Sequence, residues 1–186
     1  MLEIIAAVEL VVCWIVWTLA FVKARKQASG QKKVVRAPSS RWGIFLEGIG
    51  FALTFSYVRP TGFQKSALSL IVSMVLGPLS VALAWAATRH LGKQWRYEAA
   101  LSEDHTLIQT GPYRWVRHPI YASMFGMLLS TGFCWTWWPM FLTAILVFLA
   151  GTEIRIRAEE RLLAERFKDS FYDYRSRVPA YIPFLR

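Results

Sequence analysis

The sequence predicts an all-α integral membrane protein of about five transmembrane helices with a cytoplasmic C-terminal helical region. Three observations carry that prediction. The 186 residues are 55% hydrophobic and only 18% charged, with nine tryptophans, a composition outside the ordinary soluble range. The apolar residues fall in five runs, the first four separated by basic segments and the last two by CWTWWP. The basic residues divide as 7 from Lys23 to Arg41, 2 from Arg59 to Lys65, 5 from Arg89 to Arg117 and 8 from Arg155 onward. Alternating crossings put the three rich clusters on one side, so the positive-inside rule places the N-terminus out and the C-terminus in the cytoplasm. The net charge of +10 invites a nucleic-acid reading. Basic clusters separated by membrane-length apolar runs point instead to anionic lipid headgroups and to no nucleic acid.

Residues 2–22 make the first span, long enough for a hydrocarbon core of about 30 Å. No basic residue precedes it and no small-residue cleavage site follows, so it reads as an anchor and not a signal peptide. Its Glu9 either faces a partner or sits near the membrane surface, the second being the plainer reading. Lys23 to Arg41, with Gly30 and Pro38, is expected as a partly mobile cytoplasmic loop. Residues 42–58 form a short second span interrupted by Glu47, whose glycines suit close helix packing. A turn from Arg59 to Lys65 leads to a third span, 66–88, where Gly77-Pro78 predicts a kink. Residues 119–133 and 139–152 form a helical hairpin joined by CWTWWP, an interfacial turn. Cys13 and Cys134 lie in or beside apolar runs without metal-ligand spacing and read as packing residues, so no metal is expected. From Glu153 the chain is charged again. Ala158, Leu162, Leu163, Phe167, Phe171, Tyr174 and Val178 recur at steps of three or four, one amphipathic helix that ends at Pro179 and Pro183. The organisation is therefore 1–88, three membrane helices with a basic loop, and 89–186, a motif loop, hairpin and tail helix.

The polar stretch His105 to Tyr121, HTLIQTGPYRWVRHPIY, stands between apolar neighbours. Gly111-Pro112 marks a turn. His118-Pro119 marks a helix entry, because proline suits the first helical position and pushes its predecessor out of the helical region. His118 and Tyr121 then share a face, beside a helix start able to hold an anion. Each residue also has a structural reading: His105 bracing a loop, Tyr113 anchoring at the interface, His118 capping its helix, Tyr121 packing. Arg155 and Glu159, four apart, can form an ordinary ion pair, though Arg before Glu is the weaker orientation. Glu160 reads as a solvated partner of Arg157 or Arg161, and His90 as an interfacial residue without a role.

GPYRWVRHPIY, followed by RAEERLLAERFKDSFYDYRSRVPAYIP, resembles the isoprenylcysteine carboxyl methyltransferase family and its prokaryotic and phospholipid-methyltransferase relatives. The resemblance covers roughly residues 89–184. It implies a cytoplasmic catalytic C-terminal region using S-adenosylmethionine, held by His105, Thr106, Leu107, Ile108, Tyr113, His118, Pro119, Ile120, Tyr121 and Glu159. Catalytic roles fall on Arg155, associated with the acceptor, and on Glu159. Two positions depart from the family pattern: Glu98 stands where a polar amide is usual, and Lys168 where the tail phenylalanine is usually followed by glycine. The implied partners are membrane lipid and a lipophilic small-molecule or prenylated acceptor, with oligomeric state undetermined. The implied reaction is methyl transfer to the carboxylate of an isoprenylcysteine-like or other apolar molecule. The alternatives are phospholipid N-methylation, an NADPH-dependent reductase of the sterol-reductase type, or a lipid-binding protein that keeps the fold without the chemistry.

Overall fold

The structure is a computed structural model that describes residues 1–28, 34–56, 60–102 and 105–181. Six α-helices carry most of the chain: α1 (Leu2–Ala28), α2 (Ser40–Thr54), α3 (Ala67–Leu91), α4 (Pro119–Trp135), α5 (Trp138–Phe167) and α6 (Asp169–Arg177). Among the described residues, α1, α3 and α5 are long and apolar enough to cross a membrane. The shorter α2 and α4 have 15 and 17 residues, about 23 and 26 Å at 1.5 Å per residue.

Helices α1 to α5 run alternately up and down. At one end Thr54 closes α2, and its carbonyl accepts from Trp135 Nε1 at 3.1 Å and Thr136 Oγ1 at 2.7 Å beyond α4. There too, Ser69 at the start of α3 donates to the Phe133 carbonyl at 2.7 Å. At the other end Phe21 of α1 meets Trp95 just after α3, with centroids 6.0 Å apart. The strongest packing pairs α2 with α5 and α3 with α4. Small hydroxylated residues line the second seam, where Ser73 donates to the Ser130 carbonyl and Ser130 to that of Ser73. Such side chains let backbones approach while satisfying each other in an apolar surround. The outward faces of α1, α2, α3 and α5 carry exposed Ile, Val, Leu and Phe, including Val8, Ile15, Phe45, Val75 and Leu146. This is the surface a lipid environment covers.

Several expectations are corrected. The basic segment after Val22 is not all loop: α1 continues to Ala28, since Lys and Arg are good helix formers and Arg25 and Lys26 favour its C-terminal end. The proposed mobile loop falls partly on residues 29–33, which lie outside the described residues, as do residues 57–59 at the end of the second expected span and Pro183. The helical expectation holds for most of the chain, with one short exception. Strands β1 (Val34–Arg36) and β2 (Ala100–Ser102) pair antiparallel, with Val35 opposite Leu101. Three-residue strands carry too little pattern to be read from sequence. Helix α3 carries Pro78 inside it, at the position where the sequence expects a kink.

The tail runs out of the hairpin as a helix, as expected, but not as one helix to Pro179. The second arm of the hairpin and the charged segment form one 30-residue helix, α5, which stops at Lys168. Lys168 adopts φ 44°, the one positive-φ residue other than glycine among those described. Helix α6 then starts in a new direction. The family's usual glycine would suit this backbone, whereas lysine there is strained.

The α2–α5 seam is a glycine contact. A carbon added at Gly151 would meet the Gly43 carbonyl at 2.6 Å and the Glu47 amide at 2.9 Å, whereas one added at Gly48 meets nothing within 4 Å. Gly151→Leu is therefore expected to cost about 1–3 kcal/mol by overpacking and to lower the thermal midpoint in detergent, with Gly48→Leu staying near the native value. Lys168→Gly is expected to stabilise by about 1 kcal/mol, strain relieved less glycine's entropy, read as a higher midpoint in the same melt.

Candidate active site

Two adjoining cavities open at the end of the bundle that holds the β-ladder. One is lined by residues including Gln94, Glu98, Leu101, His105, Tyr113, His118, Pro119, Ile120, Tyr121, Arg155 and Glu159. The other takes Thr106, Leu107 and Ile108 and shares His105, Tyr113, His118 and Glu159 with the first. Every site residue singled out in the sequence therefore lines one cavity or both.

Local chemistry explains how each gets there. Gly111 adopts φ 60°, and the His90 ring occupies the space where a side chain at 111 would stand. That is what His90 does structurally, its Nδ1 being 2.8 Å from the Ala86 carbonyl. The following 3-10 turn, Gly111–Arg114, buries Tyr113. Tyr174 of α6 donates to the Tyr113 carbonyl at 2.5 Å and so fixes the turn against the tail. Pro119 opens α4, with His118 at its N-cap. The His118 side chain makes no cap bond. Its ring instead lies between two carboxylates, Nε2 3.2 Å from Glu160 Oε1 and Nδ1 3.6 Å from Glu159 Oε2.

Glu160 is not solvated. It is 8% exposed and receives Arg117 Nε at 2.9 Å and Arg117 Nη2 at 2.7 Å. Arg117 also donates to the Arg175 and Val178 carbonyls. The Arg117 and His118 amides each donate at 2.8 Å to the carbonyls of Pro179 and Ala180. The chain after α6 thus lies against the RHP segment as a short strap. The sequence reading left Arg117 unassigned and put Glu160 in solvent, because their contact joins separate elements 43 residues apart.

Glu159 is the more open carboxylate, its side chain 34% exposed. Tyr121 donates to it at 3.1 Å. Arg155 does not pair with Glu159 along the helix. Its Nη1 meets Glu47 of α2 at 2.5 Å, its Nη2 donates to the Tyr97 carbonyl at 2.6 Å, and its guanidinium lies 4.8 Å from the Tyr121 ring centroid. The second missed partner, Glu47, had one signal in the sequence: a carboxylate inside an apolar run needs a buried cation or a polar cavity. An amide does hold the HTL segment. Gln94 holds Thr106, accepting from its amide at 2.6 Å and donating to its hydroxyl at 3.0 Å, while Glu98 faces Arg41 at 3.5 Å.

Among the described residues two buried polar atoms have no partner, His105 Nδ1 and Arg155 Nε, and both belong to cavity-lining residues. Burial holds the His105 imidazole below its ordinary pKa of 6.5; Glu159 opposes this, and Arg166 and Arg96 reinforce it. Burial also raises the Tyr113 phenol well above its usual value, so it stays protonated.

Fold and cavity together define a mostly helical integral membrane protein with a polar site at one end of its bundle. The chain belongs to the isoprenylcysteine carboxyl methyltransferase (ICMT) family, whose model matches residues 70–165. It is 34% identical over 82 residues to a protein-S-isoprenylcysteine O-methyltransferase of Saccharomyces cerevisiae, covering 44% of this chain and 34% of that protein. Over 149 residues it is 30% identical to the cobalt-zinc-cadmium resistance protein CzcN of Cupriavidus metallidurans, covering 77% of this chain and 62% of that one. Over 145 residues it is 34% identical to the nickel-cobalt-cadmium resistance protein NccN of Alcaligenes xylosoxydans xylosoxydans, covering 77% and 63%. The chain thus spans about a third of the yeast methyltransferase and under two thirds of either resistance protein.

Because burial disfavours the charged ring, His105 is expected to be neutral at pH 7 and to titrate below 6.5. Histidine NMR of the detergent-solubilised protein, with His105→Gln to assign the signal, reads this directly. A midpoint at or above 6.5 contradicts the burial argument.

Proposed function

We propose that this protein is an S-adenosylmethionine-dependent methyltransferase whose acceptor is the carboxylate of a lipophilic, membrane-embedded molecule of the isoprenylcysteine type. The observation that carries the reading is the pair of adjoining cavities, which gather the HTLI segment, Tyr113, the HPIY segment and Glu159 against Arg155. The residues fit such a cofactor: His105 Nδ1 is buried and unpartnered, Glu159 is part-open, and Tyr113 and Tyr121 bring ring faces suited to a cation. His105, Thr106, Leu107 and Ile108 would hold one part of it. Glu159 would take the α-amino group or a ribose hydroxyl, and the Ile120 and Tyr121 amides in the first turn of α4, which Pro119 opens without an N–H of its own, would take its carboxylate.

When bound, the cofactor supplies a methyl group on a sulfonium, whose electron pair returns to sulfur as an acceptor oxygen bonds the carbon. A carboxylate acceptor has no proton to lose, so the chain's residues need provide no general base. Their work is alignment and the exclusion of water. Arg155 faces the acceptor, Tyr121 orients Glu159, and the Arg117–Glu160 pair with the tail strap holds His118. The alternating run of α1 to α5 supports five crossings, and the basic-residue count favours the N-terminus out and the C-terminus cytoplasmic.

A second acceptor class, the amine of a phospholipid headgroup, is favoured by one observation: the two Nη groups of Arg155 already have partners. Calorimetry on detergent-purified protein tests the cofactor. Micromolar binding of S-adenosylmethionine is expected, weakened about tenfold or more in His118→Ala and Glu159→Ala by loss of charge-assisted contacts. Binding of NADPH and not S-adenosylmethionine would promote a reductase instead. Methyl transfer from labelled S-adenosylmethionine to a prenylcysteine acid or to phosphatidylethanolamine separates the two acceptor classes.

A further inference from the structure

A groove separate from the two cavities runs between α5 and α6. Its walls include Arg157, Glu160, Arg161 and Glu165 of α5 and Tyr172 and Arg175 of α6. Arg157 and Arg161 are both exposed. Arg157 meets Glu153 at 2.7 Å in an exposed i,i+4 contact, a pairing worth little in water. The Arg161 side chain has no partner among the described residues. Arg175 Nε reaches Glu160 at 3.5 Å, but Glu160 already holds Arg117 at 2.7 Å. With Arg117 and Glu153 included, four arginines meet three glutamates. The excess of one positive charge matches a phosphodiester.

Two features set the groove against lipid. Helix α5 rises about 1.5 Å per residue, so Arg157 and Arg161 stand about 29 and 35 Å along it from Trp138. Trp138 lies at the opposite end of the bundle, 45% exposed, with the Lys65 ammonium 4.5 Å from its ring centroid. That is the setting of a tryptophan at the headgroup boundary. A hydrocarbon core of about 30 Å then ends at the two arginines. They also continue the outward stripe of α5. Arg157 follows Leu146, and Arg161 follows Ala150, by about three helical turns, and both Leu146 and Ala150 are exposed.

We propose that this groove binds an anionic phospholipid of the leaflet at the cavity end, its phosphate bridging Arg157 and Arg161 of α5 to Arg175 of α6. The acyl chains then run down the α5 stripe past Ala150 and Leu146. Guanidinium forks suit phosphate oxygens, and Tyr172, 56% exposed, brings an amphipathic ring to the same depth. Glu165, one turn beyond Arg161, disfavours a second negative group further out, so a phosphate under a neutral glycerol head fits best. The bound phosphate ties α6 to α5 across the break at Lys168. Because the Arg175 carbonyl accepts from Arg117 at 3.1 Å, the same lipid steadies the strap over the entry to α4.

Native mass spectrometry of the detergent-purified protein, titrated with phosphatidylglycerol or phosphatidylcholine, tests this. Phosphatidylglycerol is expected to bind the wild type more tightly than phosphatidylcholine. Arg157→Gln and Arg161→Gln should each weaken phosphatidylglycerol about fivefold, and the double variant about twenty-five-fold, as for arginines at a membrane surface. Both side chains are exposed, so these variants keep the wild-type thermal midpoint without lipid. Arg25→Gln removes an equal charge from the exposed end of α1 and should stay within about twofold of wild type. Added phosphatidylglycerol raises the thermal midpoint of the wild type more than that of the double variant. An equal loss in Arg25→Gln means diffuse surface charge and overturns the proposal, as does unchanged binding in the double variant. Displacement of the lipid by inorganic phosphate, or by a glutamate-rich peptide, at similar concentration also overturns it. The groove then belongs to a soluble anion or to an acidic protein.

Discussion

The contact on which the rest of the structure depends is the ion pair between Glu47 and Arg155 across the α2–α5 seam. A charged side chain inside an apolar bundle must find a partner of opposite charge. Each of these residues meets that demand for the other. The seam is narrow because glycines stand at 43 and 151, so the backbones come close enough for a short carboxylate to reach the guanidinium. Once that register is set, Arg155 lies beneath the Tyr121 ring, and Glu159, one turn further along α5, meets the Tyr121 hydroxyl.

A second charge cluster does for the tail what the first does for the bundle. Glu160 gathers Arg117, His118 and Arg175. Those contacts draw the residues after α6 back across the entry to α4, where the Pro179 and Ala180 carbonyls accept from the Arg117 and His118 amides. Adjacent glutamates on one helix therefore have unlike environments. Glu160 is buried in a structural hub, while Glu159 is turned to the cavity and stays partly open.

Much of the fold was legible in the sequence. Apolar runs, glycine and proline punctuation and the basic-residue count located all five bundle helices, and the HTLI, GPY and HPIY segments with Glu159 and Arg155 marked the cavity. Boundaries were harder. The extension of α1 through Lys23 to Ala28 and the union of the hairpin arm with the charged tail in α5 join apolar to polar stretches, where hydropathy suggests an end and helix propensity does not. The break at Lys168 carried one signal, a lysine where the family resemblance leads one to expect glycine.

Sequence alone determined which segments are apolar, how the basic residues divide among the segments between them, and which residue types stand beside the turn that opens α4. These follow from local composition and short-range geometry. Only the tertiary structure decided who pairs with whom. Arg155 chose Glu47, 108 residues away, over Glu159. Glu160 chose Arg117 and His118 over its solvated neighbours, and Gln94 held the HTLI segment in place of Glu98. The physical reason is that a charge or amide in a buried setting is satisfied by whatever the packing of distant helices brings within about 3 Å, and no periodicity along the chain records that distance.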